Sequence, residues 1–213
     1  MAGLPKALRA WLSLPMRQQL AYAGRKLRDL LPRRLRIRSA DRRLLEETVL
    51  AGYAADASLR TLLFVGCDWY TAHYAELFAP GRERFRTIDI DPDKACFGAP
   101  GGHVVAPMQQ IGRHFAPGSV DVVVANGVYG WGIDDRTSLG VAFAAAYEVL
   151  RPGGTLVLGW NNVEALAPFD PAGVAGELGF VRSTVNPLGT WRTPTDTPLR
   201  HTFDAYARPD DGG

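Results

Sequence analysis

Asp89 ends an apolar run, RFRTID, that follows an earlier run, TLLFV, ending at Gly66. The intervening residues carry a helical pattern, so the segment reads as strand, loop, helix and strand. In a doubly wound α/β fold, a carboxylate closing the second strand can accept hydrogen bonds from ribose hydroxyls. The pattern therefore points to a nucleoside-type cofactor. Gly66 permits a positive φ and close approach of the backbone to a ligand. Asp68 offers a carboxylate to an ammonium group, or else caps the helix that follows. The sequence contains no Gly-x-x-x-x-Gly-Lys phosphate cradle, metal-ligand spacing or readable Ser-His-Asp set.

Ligands of open α/β sheets bind beyond the carboxyl ends of the strands. Those ends bring Gly66, Cys67, Asp68, Asp89, Ile90, Met108 and Asn126 forward as cofactor-side candidates. They also bring aromatic and amide side chains: Trp69, Tyr70, Tyr129, Trp131, Trp160 and Asn161. Aromatic walls suit a flat or extended organic substrate, and these six are the substrate-wall candidates. Packing under a covering helix is the competing expectation for each aromatic. Candidates for the catalytic step are Asn126, Tyr129 and His73. None of His73, His103, His114 and His201 is paired by spacing with a carboxylate or nucleophile, so no general base is named.

The elements that would hold these residues alternate. Strands are expected near 61–66, 84–90, 103–106, 120–125 and 155–160, with helices near 70–79 and 137–150 and a weakly helical stretch at 108–115. Ser39 reads as the N-cap of a helix running to about Ala54. Arg151-Pro-Gly-Gly154 reads as a turn. In the tail, 180–185 and 201–207 look like a closing antiparallel pair. The expected organisation is a helical arm over 1–54, an α/β domain over 55–207 and a frayed tail over 208–213.

The arm is basic. Residues 1–43 carry twelve Lys/Arg against Asp29 and Asp41, a balance of +10, whereas the remainder carries −8. Met16, Leu20, Ala23, Leu27, Leu30 and Leu31 fall on one helical face. A lid packed across the main domain is favoured, and residues 1–38 are also a candidate contact for a membrane surface or a protein. Without aromatic interleaving, and with an acidic body, nucleic-acid binding is not expected. No apolar run reaches the ~18–20 residues of a membrane-spanning helix. Two cysteines without metal spacing, Cys67 and Cys96, and the absence of a convincing secretory signal suit the cytoplasm.

TIDIDPDKA (87–95), SVDVVVANGVYGW (119–131) and YEVLRPGGTLVLGW (147–160), taken in order, resemble the class I S-adenosylmethionine-dependent methyltransferases. The resemblance covers about residues 60–207. It implies a Rossmann-like, doubly wound, seven-stranded sheet whose last strand is antiparallel, and S-adenosylmethionine as cofactor with its ribose on Asp89. It also implies methyl transfer to a small-molecule acceptor, such as a natural-product intermediate. The family's first loop usually reads acid-x-Gly-x-Gly-x-Gly. Here those positions are Phe64, Gly66, Asp68 and Tyr70, so one glycine is kept, and Asp68 either replaces the acid missing at 64 or caps the following helix. The family's frequent adenine-contacting acid corresponds to Ala106, with Gln109 nearby as a substitute. Asn126-Gly-Val-Tyr129 resembles the Asn-Pro-Pro-Tyr motif of amino-group methyltransferases without its prolines. Two other readings fit the same residues. One is a cyclase on this fold that transfers no methyl group, and the other is a non-catalytic pseudo-methyltransferase that binds a partner through its arm.

Overall fold

The computed structural model describes residues 39–78 and 84–210, together with Leu12, Met16, Gln19 and Leu20. Most of the basic arm, with its apolar stripe and its proposed lid or contact role, lies outside the described residues.

Eight strands form one sheet: β1 (Leu62–Val65), β2 (Phe85–Asp89), β3 (His103–Val105), β4 (Val120–Asn126), β5 (Leu150–Asn161), β6 (Val181–Arg182), β7 (Arg192–Pro194) and β8 (His201–Ala207). The order is β3-β2-β1-β4-β5-β8-β6, with β7 also on β8. β1 to β5 run parallel, and β8 is antiparallel to β5. The path is thus the expected seven-stranded sheet with an antiparallel last strand, and β7 is an addition from the Pro/Gly/Thr-rich loop.

Side chains of a strand alternate between faces, and both faces here are buried. Leu63, Val65, Val123, Ala125, Leu156, Leu158 and Tyr206 face α2 (Arg136–Val149), through Leu139, Phe143 and Ala146. Leu62, Phe64, Val122, Val124, Val157 and Phe203 face Leu45, Val49, Leu50 and Tyr53 of a helix preceding the sheet. This helix, α1 (40–55), is α-wound at Ala40–Arg43 and Ala51–Ala55 and π-wound at Leu44–Leu50. Ser39 stands at its N-cap position, but its side chain makes no capping bond. A third helix, α3 (Pro171–Glu177), was not anticipated, although Asp170 caps Ala172 N–H and Pro171 opens its first turn.

Two expected elements differ. The helix over 70–79 shrinks to a 3₁₀ turn at Tyr74–Leu77. Local bonds compete with it: the Asp68 N–H donates to Thr71 Oγ1, and the Thr71 N–H and Oγ1–H both donate to the Asp68 carbonyl. Arg151-Pro-Gly-Gly154 lies inside β5 as an irregularity, since Val120 pairs with Leu150 and Val122 with Thr155. Gly153 there has φ +70°. Asp121 pins the irregularity by accepting from Arg151 Nε at 2.6 Å and from the Arg60 and Thr61 N–H groups.

Candidate active site

Gly66 follows β1 with φ +96°, and a Cβ there would lie 2.5 Å from the Asn126 carbonyl oxygen. The first loop therefore hugs the end of β4, as only glycine allows. Asp89 braces the same loop: Oδ2 accepts from Cys67 N–H at 2.6 Å and Oδ1 from Asp91 N–H at 2.8 Å. Each oxygen keeps a second acceptor site. Burial, and then the charge of Asp89, push the Cys67 thiol up to about 12, so it stays a neutral thiol. Asp68 borders a cavity beside this loop with its carboxylate already paired. Its Oδ1 accepts from the adjacent Trp69 N–H at 2.8 Å and from Lys94 Nζ at 3.0 Å.

Around this loop lies a cavity of about 500 Å³ bordered by Gly66, Asp68, Asp89, Ile90, Met108 and Asn126, among others. Cys67, Ala106 and Gln109 also line it. A second cavity of about 250 Å³ lies between the sheet and α1, bordered by Asp41, Arg42, Tyr70, Asn161, His201 and Phe203, among others. The two share Asp68, Tyr70, Asn126, Gly127 and Trp131. All seven cofactor-side candidates thus border the larger cavity. Tyr70, Trp131 and Asn161 border the smaller one.

The other aromatics stand elsewhere. Tyr129 is fully buried, its hydroxyl donates to the Phe169 carbonyl at 2.7 Å, and burial raises its phenol to about 12. Trp160 packs against Tyr129 and donates from Nε1 to Asp204 Oδ2 at 3.1 Å. Trp160 and Asn161 are neighbours in β5 and point to opposite faces, so one alone reaches the α1 side. Trp69 meets Tyr70 edge to face, with the Arg42 guanidinium 4.0 Å from the Tyr70 ring centre. His73 Nε2 is 3.6 Å from Glu46 Oε1, and His73 borders neither cavity.

Sequence reading missed His201. It opens β8, is 5% exposed and lies between two amides. Its Nδ1 is 2.9 Å from Asn161 Oδ1 and its Nε2 is 3.1 Å from Asn126 Oδ1. The strand register accounts for this, because Asn161 pairs with His201 and Asn126 with Gly159. A Cβ at Gly159 would fall 2.1 Å from Asn126 Oδ1, so the missing side chain opens the space in which the amide and ring meet.

A family model described as "Methyltransferase domain" matches residues 63–158, which span β1 to β5 and the Gly66, Asp89 and Asn126 positions. Over those residues the chain is similar to the class I S-adenosylmethionine-dependent methyltransferase superfamily. Solved methyltransferase structures share the fold. NodS, an N-methyltransferase of Bradyrhizobium japonicum WM9 in complex with S-adenosyl-L-homocysteine, superimposes with a TM-score of 0.57 at 17% identity, covering 89% of this chain and 99% of NodS. A TehB-like methyltransferase of Corynebacterium glutamicum gives 0.51 at 16% identity, covering 75% and 86% of the two chains. At such identities the likeness is one of fold. No curated protein sequence matches the chain.

The larger cavity fits the superfamily's cofactor. Its volume lies in the range of small-molecule sites. It joins a half-buried carboxylate with spare acceptor capacity (Asp89), a backbone cradle (Gly66 and Cys67) and apolar surface (Ile90 and Met108). The Asp68–Lys94 pair at one end presents one charge of each sign, as does an amino-acid moiety. Among the described residues, no group of three His, Cys, Asp or Glu could hold a metal ion, and no helix is long and apolar enough to cross a membrane.

Proposed function

We propose that the protein transfers a methyl group from S-adenosylmethionine to a small-molecule acceptor, with the cofactor in the larger cavity and the acceptor in the smaller one. The observation that carries this reading is the shared wall. Asp68, Tyr70, Asn126, Gly127 and Trp131 border both cavities, at the carboxyl edge of the parallel strands where ligands of this fold bind.

Bound S-adenosylmethionine would supply an electrophilic methyl group on a sulfonium. Asp89 would accept from its ribose hydroxyls while continuing to brace the Cys67 N–H. Gly66 would let the main chain approach the methionine end, with Asp68 and Lys94 answering its two charges. Ile90 and Met108 would flank the adenine. Asn126, at the wall, would meet the acceptor, and Tyr70 and Trp131 would exclude water and hold it in line. Such transfer can draw most of its acceleration from positioning.

The test is calorimetric titration with S-adenosylmethionine and S-adenosylhomocysteine, on wild type and on Asp89→Asn. Micromolar binding is expected, weakened about 10- to 100-fold in the variant by loss of charge-assisted bonds. Absence of binding at millimolar ligand sinks the reading, and equal binding by the variant removes Asp89 from the ribose. Tight cofactor binding without methyl incorporation into any acceptor would favour the cyclase.

A further inference from the structure

The smaller cavity restricts the chemistry of its acceptor, given the cofactor assignment above. A hydroxyl acceptor needs a base to take its proton, and the cavity is poor in bases. Both ring nitrogens of His201 are committed, one to Asn161 and one to Asn126. Neither can take a proton from a substrate without breaking one of those bonds. The Tyr74 hydroxyl donates to Glu46 Oε1 at 3.3 Å, and burial holds its pKa well above the ordinary phenol value. Asp41 and Asp68 also border the cavity, but a carboxylate is a weak base for a hydroxyl at neutral pH. An acceptor that turns over here must therefore arrive with its nucleophilic lone pair already free.

Hydrogen-bond polarity decides between two common nucleophiles of that kind, a carboxylate and an uncharged amine. Both amides stand at hydrogen-bond distance from the ring, and a neutral imidazole, with one N–H and one lone pair, takes one amide oxygen and one amide N–H. Among the described residues, neither Asn126 nor Asn161 has a further side-chain hydrogen bond to the protein, so the pair keeps three of its four amide N–H groups for a ligand. The pair therefore offers mainly N–H donors to a ligand between them; a carboxylate accepts several and keeps lone pairs for attack, whereas a donor on an uncharged amine occupies its one nucleophilic lone pair. The charge lining the cavity allows this. Asp68 is matched by Lys94 Nζ at 3.0 Å, and the Arg42 guanidinium lines the cavity along with Asp41. The remaining walls are flat and apolar, with Tyr70, Trp131 and Phe203 in about 250 Å³.

We infer that the acceptor is a compact, flat carboxylic acid held through its carboxylate by Asn126 and Asn161, that the carboxylate is methylated to an ester, and that His201 is the positioning residue for both amides. A carboxylate oxygen attacks the methyl carbon and an O–C bond forms. The S–C bond breaks with its electron pair left on sulfur, which becomes a neutral thioether. The carboxylate charge and the sulfonium charge cancel in the ester and thioether, and no proton moves.

Benzoate, cinnamate and indole-3-carboxylate are the probes, with phenol and aniline as counterparts lacking the acid. In titrations of the cofactor-free protein, at least one acid is expected to bind about tenfold more tightly than either counterpart. With methyl-labelled S-adenosylmethionine, the label should enter a product that alkali hydrolyses to volatile methanol. Asn161→Asp, a near-isosteric change, should raise KM for the acid about tenfold and leave cofactor affinity within about twofold. Saturable binding by none of the acids at millimolar concentration overturns the inference. So does label in an alkali-stable ether or amine, or an unchanged KM in Asn161→Asp. The two readings fail separately. Acid binding is measured without cofactor, so a protein that binds acids but no S-adenosylmethionine refutes the methyltransferase reading alone. One that binds S-adenosylmethionine but no acid refutes only the acceptor assignment.

Discussion

Gly159→Ala is the sharpest probe of the Asn126–His201–Asn161 arrangement. The new methyl would stand 2.1 Å from Asn126 Oδ1, 2.9 Å from a Phe203 ring carbon and 3.0 Å from His201 Nε2. Real Cβ atoms do not approach within 3.0 Å, so the Asn126 amide must withdraw by roughly an ångström. Its 3.1 Å contact with the ring is then lost. Overpacking costs about 1–3 kcal/mol. A buried ring nitrogen left without its partner costs about 1–3 kcal/mol more. Replacing glycine within a strand returns about 0.5–1 kcal/mol. The net expectation is a loss of about 1–5 kcal/mol, centred near 3, and a loss of about 3 kcal/mol in a chain of this size lowers Tm by roughly 6–12 °C. Urea denaturation of wild type and variant would measure it, with His201 ring resonances reporting the contact directly. A variant as stable as wild type, with unshifted ring resonances, would refute the argument that an absent side chain makes room for the amide.

Other expectations concern the supports of the site. Arg192 donates from Nε and Nη2 to the fully buried Asp204, each at 2.7 Å. Arg192→Ala should destabilise by about 3–5 kcal/mol in denaturant titration, because it leaves that carboxylate without its counter-charge; a loss below about 1 kcal/mol would contradict this. Asp121 has its carboxyl held below the ordinary range: burial opposes ionisation, but the bonds from Thr61 N–H, Arg151 and Arg60 N–H outweigh it. A depressed folded pKa gives stability that is fully present above the ordinary carboxylate range and is lost as pH falls through the folded value. Asp121→Asn should therefore be less stable than wild type at neutral pH, with the gap narrowing in acid, as read from Tm against pH; a gap independent of pH would contradict this.

The strand cores and the strand-end positions of Gly66 and Asp89 were legible because they depend on local pattern, and the antiparallel last strand came with the family resemblance. A β-branched run is a strand wherever it packs, and a strand-end acid is recognisable without its partners. The partners of His201 lie 40 and 75 residues away and are joined to it only by the register of β8 on β5 and β4 on β5. Nothing local to the tail announces them. Trp160 was misjudged for a reason the sequence did contain, since a strand cannot turn both Trp160 and Asn161 to one side. The helix over 70–79 was lost to side-chain bonds around Thr71, which compete with a helical pattern without disturbing its periodicity.

The π-wound segment Leu44–Leu50 also sets the angular phase of the helix. An α-turn advances about 100° per residue, and a π-turn holds more residues than an α-turn, so the stretch changes the azimuth of everything before it. Val49, Leu50 and Tyr53, on one side of or within it, look onto the sheet, while Asp41 and Arg42, on the other, look into the smaller cavity. The helix works as an indexed coupling. Its sheet-facing half is fixed by packing, and the count of residues in the wide turns sets which charged side chains border the smaller cavity. Gaining or losing a single residue there would re-aim the polar end by about a quarter turn while leaving the apolar contacts in register.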